Sequence, residues 1–175
     1  MKQISLKYII ISLIIIILQI FLFNNINIRI GNSLFTPYAY LLIILLLPFN
    51  TPTSTVLIFS FVTGLIIDIS SGTLALHTSA TVFVGFLRQF ILKWITPRQG
   101  YNPGTTPSYL FYGYKWFITY TFILTLIHQF IFFMLDIFSL KLIFYILYKT
   151  VLNSVFTTLT IAILHYIFKN RPAIA

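Results

Sequence analysis

Long apolar runs separated by short polar, turn-forming stretches organise this chain from end to end. Ile9 to Phe23 is interrupted only by Ser12 and Gln19, and it predicts a first span over about residues 6–23, since a membrane crossing takes roughly 20 apolar residues. Lys2 and Lys7 precede it, as they would in a signal peptide. The stretch Phe23-Asn24-Asn25-Ile26 offers no small-residue cleavage motif, so the span is expected to be retained. Residues 24–37 are polar and turn-rich and end at Pro37. A second run, about 36–48, is compact: Tyr38 to Leu47 is closed by Pro48, and at 1.5 Å per residue it reaches roughly 15–21 Å of a hydrocarbon core near 30 Å. Pro48 and Pro52 bracket a tight turn. Further spans follow over about 54–69, 77–94, 115–135 and 142–168. Between the fourth and fifth lies a long loop rich in Pro and Gly, from Ile95 to Tyr114. No internal repeat and no heptad pattern is present. The expectation is an all-α integral membrane protein, a single six-helix transmembrane bundle, or five crossings if the second is re-entrant.

Composition removes the competing classes. Of 175 residues 59% are hydrophobic and 7% charged, with a mean hydropathy of +0.99. A soluble domain devotes about a quarter of its residues to charge, and disorder requires low hydrophobicity. Neither fits. Eleven Lys and Arg against two acids give a formal charge of +9, which invites a nucleic-acid reading. Placement argues otherwise. With the N-terminus inside, Lys2, Lys7, Lys93, Arg98, Lys115, Lys169 and Arg171 flank the inner span ends, while Arg29 and Lys141 flank the outer ones. That asymmetry predicts both termini in the cytoplasm. Trp94 and Trp116 frame the inner loop, where interfacial indoles are expected. Membrane lipid is the expected partner of this charge, and nucleic acid is not.

Polar residues inside the spans fall on stripes. Ser60, Gly64 and Asp68 recur every four residues in span 3; His77, Thr81, Gly85 and Arg88 line span 4. Thr121, Thr125 and His128 or Gln129 do so in span 5, and Lys149, Asn153, Thr157 and Thr160 in span 6. Small and polar residues commonly pack membrane helices, so bundle packing is the plain reading. A polar cavity or a partner groove opening outward is the functional one. Gly64, Asp68, Gly72, His77, Arg88, Lys149 and Asn153 are the candidate partner-binding or bundle-polar residues. Arg88 lies about 9 Å from the inner boundary and is expected to snorkel. Asp68 and Lys149 are expected to pair across helices, because the only carboxylates are Asp68 and Asp136.

Several chemistries find no residues here. Paired acids for general acid–base work are missing, as are a His-Glu-x-x-His zinc helix, a Gly-x-Ser-x-Gly elbow and a Gly-rich phosphate loop. There is no cysteine. His77, His128 and His165 sit on different spans without ligand spacing. The chain is expected to be no enzyme, with no catalytic residue, metal or cofactor.

The stretch Gly64-Leu65-Ile66-Ile67-Asp68-Ile69-Ser70-Ser71-Gly72-Thr73-Leu74-Ala75-Leu76-His77 resembles the rod shape-determining membrane protein family MreD. That family ends one span in Gly-Leu-x-x-Asp and starts the next in a Gly-Leu-His-like sequence; Ala75 stands where it often has Gly. Pro37-Tyr38 and Leu45-Leu46-Leu47-Pro48 are similar to its short Leu-rich span. Leu87-Arg88, the loop Ile95-Thr96-Pro97-Arg98-Gln99-Gly100-Tyr101, and Tyr120 with His128 resemble its Bacteroidetes members. The likeness covers about residues 35–135. It implies a non-catalytic scaffold or regulatory subunit in the bacterial inner membrane, within the cell-elongation (rod) machinery. Its implied partners are MreC, MreB and the glycosyltransferase–transpeptidase pair of lateral peptidoglycan synthesis. The family fold also resembles the six-helix substrate-binding subunits of energy-coupling-factor transporters. A vitamin-type substrate-binding subunit is therefore the alternative, and fold alone does not decide between them.

Overall fold

Leu41 to Leu47 is apolar on every side, and a helix with no polar face belongs in an interior. The computed structural model, which describes residues 6–26, 28–30, 33–102 and 104–169, puts it there. Lys2 and Arg171, two of the basic flanking residues, lie outside that set. Helix α2 (Leu41–Leu45) is buried along its whole length and touches α1 (Leu6–Phe21), α3 (Thr53–Ser71), α4 (Leu76–Trp94) and α6 (Ile143–Lys169). Around it α1 packs on α3, α3 on α4, α4 on α5 (Tyr109–Ile137) and α5 on α6.

The result is a helical bundle of six helices among the described residues. Four stretches are long and apolar enough to cross a membrane: Tyr8–Asn25, Thr53–Ser71, Tyr109–Ile137 and Leu140–Phe168. Helix α4 matches α3 in length, 19 residues each, but carries His77, Thr81, Arg88, Gln89 and Lys93. In α5, Gly113 at φ 80°, ψ 159° leaves the helical region, so the continuous helix runs from Tyr114 onward.

Two local results differ from the sequence expectation. Within the polar stretch 24–37, β1 (Ile28–Ile30) and β2 (Ser33–Phe35) form an antiparallel hairpin with Arg29 opposite Leu34. Three-residue strands are too short to show an alternation, so nothing in the pattern announced them. Phe35 then tucks against Tyr148 and Phe156 of α6.

The second span is also corrected. Helix is expected over 36–48, yet only five residues are α-helical. Along α1, the contact of Gln19 with Pro37 and that of Tyr8 with Ile43 lie eleven residues apart, about 16 Å of helix. Between those contacts the backbone is wound in 3₁₀-type turns, with the Leu41, Leu42 and Ile43 N–H groups donating to the Tyr38, Ala39 and Tyr40 carbonyls at 3.4, 3.0 and 3.1 Å. Such turns rise about 2.0 Å per residue against 1.5 Å in an α-helix, and the long side chains of Gln19 and Tyr8 reach the rest of the way.

One end of the bundle holds Phe49, stacked on Tyr101 at 4.1 Å, with Tyr112 and Trp116 edge-on to it. We call this the loop end. Trp116 Nε1 donates to the Ile95 carbonyl at 3.0 Å, while Trp94 stands exposed. Burial among these rings pushes the Tyr101 phenol up from its ordinary pKa. The opposite, turn end carries residues 72–75. There Asn24 Nδ2 donates to Ser71 Oγ at 3.1 Å.

Candidate functional site

Backbone that departs from a continuous α-helix at membrane depth survives only where protein supplies partners for its free N–H and C=O groups. Residues 37–47 have them from five side chains. Gln19 Nε2 donates to the Pro37 carbonyl and its Oε1 accepts from Tyr40 N–H, both at 3.2 Å. Thr157 Oγ1 accepts from Tyr38 N–H at 3.2 Å. Tyr8 Oη donates to the Ile43 carbonyl, Tyr120 Oη to that of Leu45 at 3.1 Å, and Arg88 Nη2 to that of Leu47. The polar stripes of the spans therefore close inward on this segment.

Toward the turn end the segment's own side chains join the network. Tyr40 Oη lies 2.9 Å from His77 Nδ1 and 2.8 Å from His128 Nε2. A phenol has one proton, so it donates to one imidazole and accepts from the other. His128 Nδ1 has no partner. A bare lone pair is cheaper to bury than an unmet N–H, so we assign the His128 proton to Nε2, donating to Tyr40, and the Tyr40 proton toward His77. Tyr38 and Phe132 pack on both imidazoles, with Tyr38 edge-on to His77 at 5.0 Å and Phe132 at 4.6 Å from it.

Beside this cluster Asp68 joins α3 to α4. Its side chain is 3% exposed. Oδ1 accepts from His77 N–H at 3.0 Å and Thr73 Oγ1 at 2.5 Å; Oδ2 accepts from Thr78 N–H at 2.8 Å and Thr78 Oγ1 at 2.6 Å. The residue preceding α4 is Ala75, which has no capping side chain. Asp68 takes that role from the previous helix, satisfying two orphan N–H groups with an anion at the positive end of the helix dipole. Gly72 makes the reversal possible: at φ 66° it ends α3 and returns its N–H to the Asp68 carbonyl. Gly64 brings the two helices into backbone contact, since a Cβ there would lie 2.5 Å from Thr78 Cα.

No protein-family model, curated protein or solved structure matches this chain. The site is therefore read on its geometry. Gly64, Asp68, Gly72 and His77 of the candidate residues come together in one joint. The other three do not join it.

Arg88 corrects the expectation of snorkelling. It is 3% exposed, and Nε donates to Tyr120 Oη at 3.0 Å. The pull of the Leu47 carbonyl and Tyr120 outweighs the short path to the bundle end. The Asp68–Lys149 pair is not formed either. All of the hydrogen bonds to the Asp68 carboxylate come from residues 73–78, and Lys149 Nζ lies over the Phe133 ring at 4.5 Å, a cation–π contact. Neutralising each and then both should give additive losses of unfolding free energy, within about 0.5 kcal/mol; a larger coupling would restore the pair. Asn153 is buried in α6, and neither side-chain atom has a partner.

Tyr40, Gln19 and Tyr8 escaped the stripe analysis. The signal available was Gln19 alone in an otherwise apolar run, and tyrosine in a span so apolar that its hydroxyl needs a partner. Ala75 offers a smaller test. It holds φ 60°, a left-handed conformation that costs an L-residue about 1 kcal/mol. Ala75→Gly should stabilise the bundle by about 0.5–1 kcal/mol in a detergent unfolding titration; destabilisation would mean the methyl group has a role of its own.

Proposed function

We propose that this chain is a non-catalytic scaffold or regulatory subunit of the bacterial cell-elongation complex, held in the inner membrane and acting through helix-mediated contacts. One observation carries the reading beyond the MreD resemblance. The polar side chains of the spans spend their hydrogen bonds inside the bundle, on the segment 37–47 and on the α3–α4 joint. What faces outward is apolar. In α6, Leu147, Val151, Val155, Leu159 and Ile163 recur every four residues, all exposed, a stripe suited to lipid or to a neighbouring helix. At the turn end Leu74 is 93% exposed and Ile69 75%. Gly64 and Asp68 shape that rim from within, and the rim itself is the contact region we assign.

On this reading the partners are MreC, MreB and the glycosyltransferase–transpeptidase pair. A vitamin-type transporter subunit is expected instead to hold a ligand among convergent polar and aromatic groups. Here the comparable groups, Tyr38, Tyr40, His77, His128 and Phe132, fill the space with one another. Affinity purification from a rod-shaped bacterium in mild detergent tests the choice. Recovery of MreC with the chain supports the scaffold. A stoichiometric small molecule with no wall-synthesis protein overturns it.

A further inference from the structure

Arg88 is a buried cation without a counter-charge among the described residues. Its Nε and Nη2 donate to a phenol and a carbonyl, both neutral, and Nη1 has no hydrogen bond among the described residues. The two carboxylates are remote. Asp68 binds at His77 and Thr78, ten residues up α4 or about 15 Å away. Asp136 lies sixteen residues along α5 from Tyr120, about 24 Å. An unpaired buried charge is costly, and at membrane depth it marks a site by default.

The guanidinium lines a cavity of about 210 Å³ at the loop end, between the start of α3 and the last turns of α4. Thr51, Thr53, Gln89, Lys93 and Tyr101 line it too, and no acid does. Thr53 Oγ1 donates to Gln89 Oε1 at 3.0 Å, which leaves the Gln89 amide hydrogens to donate elsewhere. The Thr51 hydroxyl has no partner among the described residues, and exposed Lys93 stands at the rim. Helix α3 begins here. Pro52 gives it no side-chain cap, and the first N–H bonded back is that of Val56. The N–H groups of Thr53, Ser54 and Thr55 are thus left at the positive end of a 19-residue helix. At the same level, on the opposite face of α4, stands exposed Trp94, a side-chain type found at the level of lipid headgroups.

We propose that this cavity is an anion site that binds a phosphate group, with Arg88 and Lys93 supplying charge and Thr51 and Gln89 supplying neutral donors. The phosphate belongs either to an anionic phospholipid headgroup entering from the interface or to a free phosphate. Arg88 also holds the Leu47 carbonyl, so its removal risks the fold. The variant for the test is Lys93→Gln with Thr51→Val, neither of which carries a side-chain bond inside the bundle. Thermal unfolding is followed in a neutral maltoside detergent at constant ionic strength, because exposed charges are screened.

Dihexanoylphosphatidylglycerol, sodium phosphate, or both should raise the melting temperature saturably. The double variant should need at least fivefold more probe, and Lys141→Gln at the other end should match the parent. A response to the lipid alone assigns the headgroup; a response to sodium phosphate assigns free phosphate. No saturable shift with either probe, an equal shift with dihexanoylphosphatidylcholine, or a double variant that responds like the parent overturns the proposal.

Discussion

Asp68→Ala should lower the unfolding free energy by about 3–5 kcal/mol, the largest loss expected from any single truncation in this chain. Four donors converge on that carboxylate: two backbone N–H groups and two hydroxyls. Removing it leaves His77 and Thr78 N–H unmet in an apolar setting, where an orphan donor costs about 1–3 kcal/mol. It also removes the anion at the start of α4. Asp68→Asn keeps one acceptor oxygen and the shape, so about half of the loss should return. Denaturation in mixed micelles measures both, and proteolysis at residues 72–75 should accelerate in the same order. Equal stability of Asp68→Ala and the parent would show that the carboxylate does not hold the joint.

Gly64→Ala is the second. A methyl group there would meet Thr78 Cα at 2.5 Å, Thr78 N at 2.9 Å and the His77 carbonyl at 3.1 Å. All three are backbone atoms, so no side chain can turn away; α3 and α4 must separate by about 1 Å to reach ordinary contact. That motion draws Thr78 N–H away from Asp68 Oδ2. The expected cost is about 2–4 kcal/mol. Because both substitutions open one joint, Gly64→Ala should cost much less in an Asp68→Ala background. Full additivity in that double-mutant cycle would separate the two contacts.

The loss of a tight turn end has a functional reading as well. On the proposed scaffold role, both variants should release the exposed rim at Ile69 and Leu74 and weaken recovery of MreC. Their stability and partner phenotypes should move together.

The stripe of Ser60, Gly64 and Asp68 was legible because a period of four on a long apolar run places small and polar residues on one face. The same arithmetic placed His77, Arg88, His128 and Thr157. What it did not carry was the identity of their partners. Arg88 meets Leu47, forty-one residues away, and Thr157 meets Tyr38, 119 away; spacing within one helix says nothing of such contacts. Asp68 and Lys149 looked like partners because opposite charges are few here. A capping role requires two backbone N–H groups instead, and backbone donors are invisible in a count of charges.

Sequence alone determined that the chain is apolar enough for a bilayer, that it is built of helices, and that Leu41–Leu47 has no polar face. These follow from local composition and period, which each segment carries by itself. Tertiary structure decided that residues 37–47 pass through the centre as turns around one short helix, and that Gln19, Tyr8, Tyr120, Arg88 and Thr157 meet the backbone groups left free there. Hydrogen bonds freed by an unwound segment must be met from neighbouring helices, and only the packed bundle says which neighbours are close.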